Sequence, residues 1–135
     1  MKNHVLSAIS VAAALFVGAC TESSTMGTDP SLSDNVLLAD WTGPFGGIPT
    51  FDRMDLDALT PALEAGMARQ LAEIDAIAST PEPPTFANTI VALEGTGRDL
   101  SRVSTYYGVW SSNLSTPEFR EIQQEMAPRL AEFNS

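Results

Sequence analysis

The stretch LTPALEAGMARQLAEIDAIAST, residues 59–80, decides the fold class of this chain. Its larger apolar residues recur every three or four positions and fall on one stripe of an α-helix. Asp57 or Thr60 can cap the start of this helix, and Thr80 followed by Pro81 ends it. The stripe that we expect to be buried consists of Leu59, Leu63, Met67, Leu71, Ile74 and Ala78.

Two further helices are predicted after the proline-rich connection at residues 81–84. The second starts near Thr85 and bends or breaks at Gly95 and Gly97, because glycine costs about 1 kcal/mol in a helix relative to alanine. One face of this helix is predicted to form a seam of apolar and small residues, and the small ones favour close approach of another helix. The seam runs through Phe86, Ile90, Leu93, Gly97, Leu100, Ser104, Tyr107, Ser111 and Leu114.

The third predicted helix begins at residues 115–118, Ser-Thr-Pro-Glu, which supply a hydroxyl cap, a proline at the first position and an acid in the first turn. Pro128 should kink it or remove one of its hydrogen bonds. The apolar pattern continues to Phe133, just before the last residue of the sequence. With three helices and no strand pattern, residues 58–135 are predicted to be all-α and to form a helical region that is cut short.

The part before these helices divides into two segments. Residues 20–35 are rich in Ser and Thr and bury little, so they are predicted to be a flexible tether. Residues 36–57 contain glycine and proline turns together with Trp41, Phe45, Ile48 and Phe51. This segment is too apolar for a free linker, and we expect it to be extended and ordered, with its aromatic residues packed on a neighbouring element.

Residues 1–19 have the pattern of a secretory signal. Lys2 precedes an apolar run from Val5 to Ala19, which as a helix is about 22 Å long and too short for a bilayer core of about 30 Å. The run ends in VGAC, which resembles the lipobox of bacterial lipoproteins and predicts lipidation at Cys20. The chain would then be exported and anchored on the periplasmic side of the envelope. Thr21 favours the outer membrane. An ordinary signal peptide is the alternative.

Composition restricts the chemistry further. The chain has 135 residues with 7 Lys and Arg, 17 Asp and Glu, one His and one Cys, and a net charge of −10. So acidic a chain is a poor binder of nucleic acid. The only His is His4, inside the predicted signal, so no Ser after it has a His to activate it. We therefore predict no catalytic residue and no metal-binding residue.

The remaining clusters of polar and aromatic residues have structural interpretations. Acids near the start of the first helix favour its positive end, acids on the third helix form a solvated face, and arginines form surface ion pairs. The aromatic cluster on the second helix is interpreted as packing, with a ligand cleft in a larger assembly as the alternative. These residues are Asp52, Asp55, Asp57; Glu118, Glu121, Glu125; Arg98, Arg102, Arg129; and Tyr106, Tyr107, Trp110.

Several stretches resemble the N-terminal helical region of the thimet-oligopeptidase family (M3) of zinc metallopeptidases, and in particular its bacterial peptidyl-dipeptidases. The similarity spans residues 35–133. The stretches that carry it are PALEAGM at 61–67, LAEIDAIA at 71–78, PTFANTIVALE at 84–94 and GRDLSRV at 97–103. NVLLA at 35–39 and WTGPFGG at 41–47 are similar to the first ordered segment of exported members.

The resemblance implies a clam-shaped, mostly helical peptidase with a deep channel for short peptides, releasing dipeptides from their C-termini. It also implies a zinc ion that is held by an H-E-x-x-H helix and a downstream Glu. The partner that it implies for this chain is a C-terminal catalytic region, which is missing from the sequence. This sequence contains no H-E-x-x-H. We therefore expect an inactive N-terminal fragment of such an enzyme. The alternative is a small helical lipoprotein that binds peptides or proteins without catalysis.

Overall fold

The computed structural model describes residues 34–135, and within this range the all-α prediction is confirmed. Three longer helices are present: α1, Leu59–Ala78; α3, Arg98–Asn113; and α4, Pro117–Phe133. The short helix α2, Ala92–Glu94, directly follows a π-helix, Phe86–Val91. The predicted signal peptide, Cys20 and the predicted tether up to residue 33 lie outside the described residues.

Helix α1 buries only the first half of its predicted stripe. Leu59 and Leu63 are buried, and so are the small residues Ala62, Ala65 and Gly66 beside them. In the second half Ile74 is partly buried, but Leu71 is 52% exposed and Ala78 is exposed, so the prediction was wrong for these two residues. The predicted cap was also wrong: the N-cap residue is Ala58, which makes no side-chain cap hydrogen bond. The first half of α1 therefore carries the core.

The second predicted helix is divided at the glycines, as expected. Thr85 caps its first part through a reciprocal pair of hydrogen bonds with Asn88. Gly97 has a φ of 71°, which glycine adopts without the strain a side chain would bring, and α3 begins directly after it. Because of this break, residues 86–94 and α3 present different faces to α1.

The face of α3 that lies in the core coincides only in part with the predicted seam. Val103, Tyr106 and Trp110 are buried, whereas Ser104 and Ser111 are exposed. Close helix approach occurs instead at Gly66 of α1, where an added Cβ would lie 2.9 Å from the Cα of Leu100. The small residue that lets α1 and α3 meet is thus on the first helix. The seam prediction was wrong for Ser104 and Ser111, whereas Leu100 and Tyr107 are partly buried against the core.

Helix α4 begins as predicted. The hydroxyl of Thr116 accepts a hydrogen bond from the backbone N–H of Phe119 at 3.2 Å, and Pro117 occupies the first turn. Phe119 and Met126 are buried on its inner face, and Pro128 lies within the helix, which continues to Phe133. Pro128 removes one N–H donor without ending α4.

We expect Glu118 to make the stability of α4 depend on pH. A hydrogen bond to its backbone N–H, and then the Thr116 hydroxyl, hold the pKa of this carboxyl below its ordinary value. A lowered pKa means that the ionised form stabilises the fold above the ordinary pKa, and that this contribution is lost as the pH falls through the lowered value. Glu118→Gln is therefore expected to lower the melting temperature at pH 7, with the difference from wild type shrinking toward pH 3.

The matched control for this titration is Glu121→Gln, in the next turn of α4. Glu121 is exposed and lies beyond the first turn of the helix. Melting curves of both variants and the wild type between pH 3 and pH 7 make the comparison. A difference of the same size and pH dependence for Glu121→Gln would contradict the assignment to the capped first turn.

The core joins all three long helices to the N-terminal segment. Eleven apolar residues are buried in the described part, and no buried polar or charged residue accompanies them. Among residues 34–135, no helix is long and apolar enough to span a bilayer. The buried residues are Leu37, Leu38, Leu59, Ala62, Leu63, Ala65, Val103, Tyr106, Trp110, Phe119 and Met126.

The N-terminal segment packs only part of its apolar content. The rings of Trp41 and Phe51 contact Tyr106 edge-on, with centroids 6.3 Å and 5.9 Å away. Phe45 and Ile48 are exposed, so the expected packing was wrong for these two residues. They belong to a tight loop closed by an isolated bridge between Thr42 and Ile48. The loop is open to solvent while its base is fixed to α3.

Candidate functional site

The main candidate site is a polar cleft of about 610 Å³ between the start of α3 and the N-terminal segment. The break at Gly97 creates it, because α3 starts there and turns its first residues toward Trp41. The cleft is lined by Asp40, Trp41, Gly46, Glu94, Thr96, Gly97, Arg98, Ser101 and Arg102. Sequence reasoning singled out Arg98 and Arg102 but not the cleft that they share.

Arg102 is the most constrained charged side chain in this cleft. Its Nη1 lies 2.9 Å from the carboxylate of Asp40, and its Nη2 contacts the carboxylate of Asp99. Nη2 also donates to the backbone carbonyl of Leu38 at 3.1 Å. Asp99 accepts a second ion pair from Arg69 of α1 at 2.5 Å. This network neutralises Arg102 and ties α1, α3 and the N-terminal segment together.

Arg98 is the exposed cation of the cleft, whereas two other N–H groups of its lining residues are buried away from solvent. Trp41 Nε1 and Arg102 Nε are buried, and neither has a hydrogen-bond acceptor among residues 34–135. Arg98 also lines the cleft and has no ion pair within the described part of the chain. Carbonyl and carboxylate oxygens are the acceptors that such donors bind.

The same residues offer little for covalent chemistry. Ser101 is a potential nucleophile in the cleft, but the lining residues include no His, Lys or Cys to activate or replace its hydroxyl. Asp40 and Glu94 supply carboxylates, and the Arg102 network already occupies that of Asp40. The arrangement is therefore suited to binding and orienting a polar group.

The predicted acidic clusters lie on the surface. Asp52, Asp55 and Asp57 are exposed before α1, and Asp55 accepts the backbone N–H of Asp57 at 3.1 Å. The acids of α4 are also exposed: Glu118, Glu121 and Glu125. Glu125 forms an ion pair with Arg129. The solvated-face interpretation is confirmed.

The arginine prediction is confirmed for two of its three residues. Arg129 pairs with Glu64 of α1 at 2.5 Å as well as with Glu125, and Arg102 pairs with Asp40 and Asp99. The spacing of Asp99 and Arg102, three residues apart on a helix, was the sequence signal for the second pair. Asp40 was missed, because a loop 62 positions upstream carries no local signal for this contact.

The zinc that the resemblance implies does not fit the described residues. Over positions 34–135, no group of three or more His, Cys, Asp or Glu side chains lies close enough to hold a metal ion. The acids identified from the sequence are engaged with arginines or spread along solvated faces. No step of metal chemistry is derived from this part of the chain.

The aromatic cluster on α3 is confirmed as packing. Tyr106 is fully buried, and its hydroxyl accepts the backbone N–H of Thr50 at 3.0 Å. Trp110 is 6% exposed, and the ring of Tyr107 lies 5.3 Å from that of Phe119. None of the three lines the polar cleft. Their role is to fix the N-terminal segment and α4 on the two sides of α3.

Comparison with known proteins adds two similar sequences, while no protein-family profile matches the chain. It is 36% identical over 99 residues to a dipeptidyl carboxypeptidase of Escherichia coli strain K12, covering 73% of this chain and 14% of that protein. It is 30% identical over 110 residues to a dipeptidyl carboxypeptidase of Salmonella typhimurium strain LT2, covering 82% of this chain and 15% of that protein. The chain thus spans a small share of the length of these curated relatives.

Proposed function

We propose that residues 36–135 are a helical region of a zinc metallopeptidase of the M3 family that releases dipeptides from the C-termini of short peptides. The observation that carries the proposal is the 36% identity over 99 residues to a protein named dipeptidyl carboxypeptidase. A second relative of the same name, 30% identical over 110 residues, supports it. The all-α fold agrees with the helical architecture that the resemblance implies.

In this proposal, the described residues serve as a scaffold and the chemistry takes place elsewhere in the enzyme. The zinc ligands of an H-E-x-x-H helix and a downstream Glu belong to a catalytic region, since residues 34–135 offer no metal-binding group. The scaffold is held by the contact of Gly66 with Leu100 and by the Arg102 network. Its helices would form part of the wall or lid of the peptide channel.

Two experiments test this function. The coding sequence beyond the codon for Ser135 is expected to continue into helical sequence that leads to H-E-x-x-H, and a stop codon followed by an unrelated gene would overturn the proposal. The protein that includes this continuation is expected to release dipeptides from a blocked tetrapeptide and to lose that activity with a zinc chelator. The 135-residue chain alone is expected to release none.

We also propose that the chain is exported and lipid-anchored through Cys20 on the periplasmic side of the outer membrane. The proposal is supported by the VGAC sequence at 17–20 and by the apolar run before it. Cys20→Ala is expected to move the protein from the detergent-extracted membrane fraction to the aqueous fraction, because several acyl chains on Cys20 are what hold it there. An unchanged membrane fraction would contradict the anchor.

A second candidate function is a small helical lipoprotein that binds peptides or proteins without cleaving them. The observation that favours it is the polar cleft, which the described residues form entirely by themselves and which presents the guanidinium group of Arg98. Under this alternative, the 135-residue chain would bind short peptides without zinc, and Arg98→Ala would weaken that binding. The coding-sequence experiment separates the two functions.

A further inference from the structure

The segment from the π-helix through α2 turns its large apolar side chains away from the rest of the molecule. Phe86 is 73% exposed, and Ile90, Val91 and Leu93 are each about half exposed. The residues of the segment that lie against α1 are smaller or polar: Asn88, Thr89 and Ala92 are partly buried. Asn88 and Thr89 border a cavity of about 260 Å³ together with Ile77 of α1. The amphipathic order expected of a surface helix is therefore inverted here.

This outward apolar face, defined as Phe86, Ile90, Val91 and Leu93, is held in place at both ends. The reciprocal hydrogen bonds of Thr85 and Asn88 fix its start. Beyond its end, the backbone N–H of Gly97 donates to the carboxylate of Glu73 on α1 at 2.7 Å. The face is thus pre-organised, which reduces the ordering cost of binding.

Charge around the face is mainly negative, and Arg98, just beyond the segment, is the exposed basic residue nearest to it in the sequence. Between residues 70 and 97 there is no Lys or Arg, while Glu73, Asp75, Glu82 and Glu94 are present. Arg69, just before this range, is paired with Asp99. A second copy of the same face would bring like charges together, and an anionic bilayer would repel it. The partner that complements the face is apolar at its centre and basic at its rim.

We infer that the outward apolar face docks a helix whose apolar stripe is flanked by Lys or Arg. Phe86, Ile90 and Leu93 follow one another at steps of four and three, the spacing of helix-to-helix anchors. That this helix belongs to the catalytic region of the same enzyme rests on the proposed function. That it is apolar at its centre and basic at its rim rests only on the properties of the outward apolar face.

Titration of the 135-residue chain with synthetic peptides of about 18 residues tests the inference, since such a length supports a helix. The probe has a Leu stripe and Lys on its polar face, and the control probe has the same composition in scrambled order. The stripe probe is expected to bind at least about tenfold more tightly than the scrambled one. Phe86→Ser combined with Ile90→Ser is expected to weaken its binding by about tenfold or more.

Leu114→Ser is the matched control variant, because Leu114 is an equally exposed apolar residue at the other end of α3. It is expected to leave probe binding unchanged. A second variant, Glu82→Lys with Glu94→Lys, changes exposed residues only, so its fold is retained. It is expected to shift the preference from the Lys-faced probe to a Glu-faced probe with the same stripe.

Three results would overturn the inference: equal binding of the scrambled probe, an equal loss in Leu114→Ser, or no change of preference on charge reversal. Self-association of the wild-type chain that Phe86→Ser abolishes would assign the face to a second copy instead. Failure here leaves dipeptide release by the continued protein untouched. If the continued protein releases no dipeptides, the probe measurement is still valid. Failure of the inference and failure of the proposed function are therefore distinguishable.

Discussion

Phe119→Ala is expected to lower the free energy of unfolding by about 3–5 kcal/mol, the usual cost of truncating a buried phenylalanine. Phe119 is fully buried at the start of α4, and its ring lies 5.3 Å from that of Tyr107 on α3. Few other residues of α4 can compensate, since only Met126 on that helix is also buried. The loss includes the transfer of the ring to water and the cavity left behind.

A small domain is stable by about 5–15 kcal/mol, so this variant would lose a large part of its stability. Urea unfolding followed by circular dichroism measures the change. Phe45→Ala is the matched control, because it removes the same ring from a fully exposed position in the N-terminal loop. We expect no more than about 0.5 kcal/mol there. A loss below about 1 kcal/mol for Phe119→Ala would contradict the description of α4 as part of the core.

The positions of the helices could be predicted because their signals are local. The stripe at residues 59–80 marks α1, and Thr116 with Pro117 marks the start of α4. The break before α3 follows from the cost of glycine in a helix, and Gly97 with its positive φ occupies it. Each of these features depends on residues no more than four positions apart, so a single sequence contains the required information.

The buried face of the second predicted helix could not be predicted in full, because it depends on what lies opposite. The predicted seam kept one spacing through residues 86–114, across the break that was predicted at Gly95 and Gly97. The break at Gly97 rotates α3, so Val103, Tyr106 and Trp110 form its inner face. The outward apolar face has the same origin: the spacing of Phe86, Ile90 and Leu93 predicts a stripe, but not the direction in which the stripe points.

The polar cleft and its ion pairs escaped prediction for a related reason. Asp40 and Arg102 are 62 positions apart, and their contact exists only because the N-terminal segment lies along α3. Tyr106 fixes that segment through Thr50, which is 56 positions away. Local patterns identified Arg102 as a surface cation and Tyr106 as a packing residue. Only the tertiary structure shows that both hold the N-terminal segment in place.

Gly66→Ala is expected to lower the free energy of unfolding by about 1–3 kcal/mol, although alanine is the better helix former. An added Cβ at Gly66 would lie 2.9 Å from the Cα of Leu100 and 3.2 Å from its backbone nitrogen. These are backbone atoms, so no side-chain rotation relieves the overlap, and α1 and α3 must move apart. That movement loosens the contact at which these two helices of the core meet.

Gly108→Ala makes the comparison decisive, because Gly108 also lies inside a helix and has no atom within 4 Å of an added Cβ. Without a clash, the alanine should raise the free energy of unfolding by about 0.5–1 kcal/mol. The same substitution thus has opposite signs at two helical glycines, and urea unfolding of both variants measures the difference. Stabilisation by Gly66→Ala would show that α1 and α3 do not meet at this residue, and the packing that positions the cleft and the outward apolar face would have to be revised.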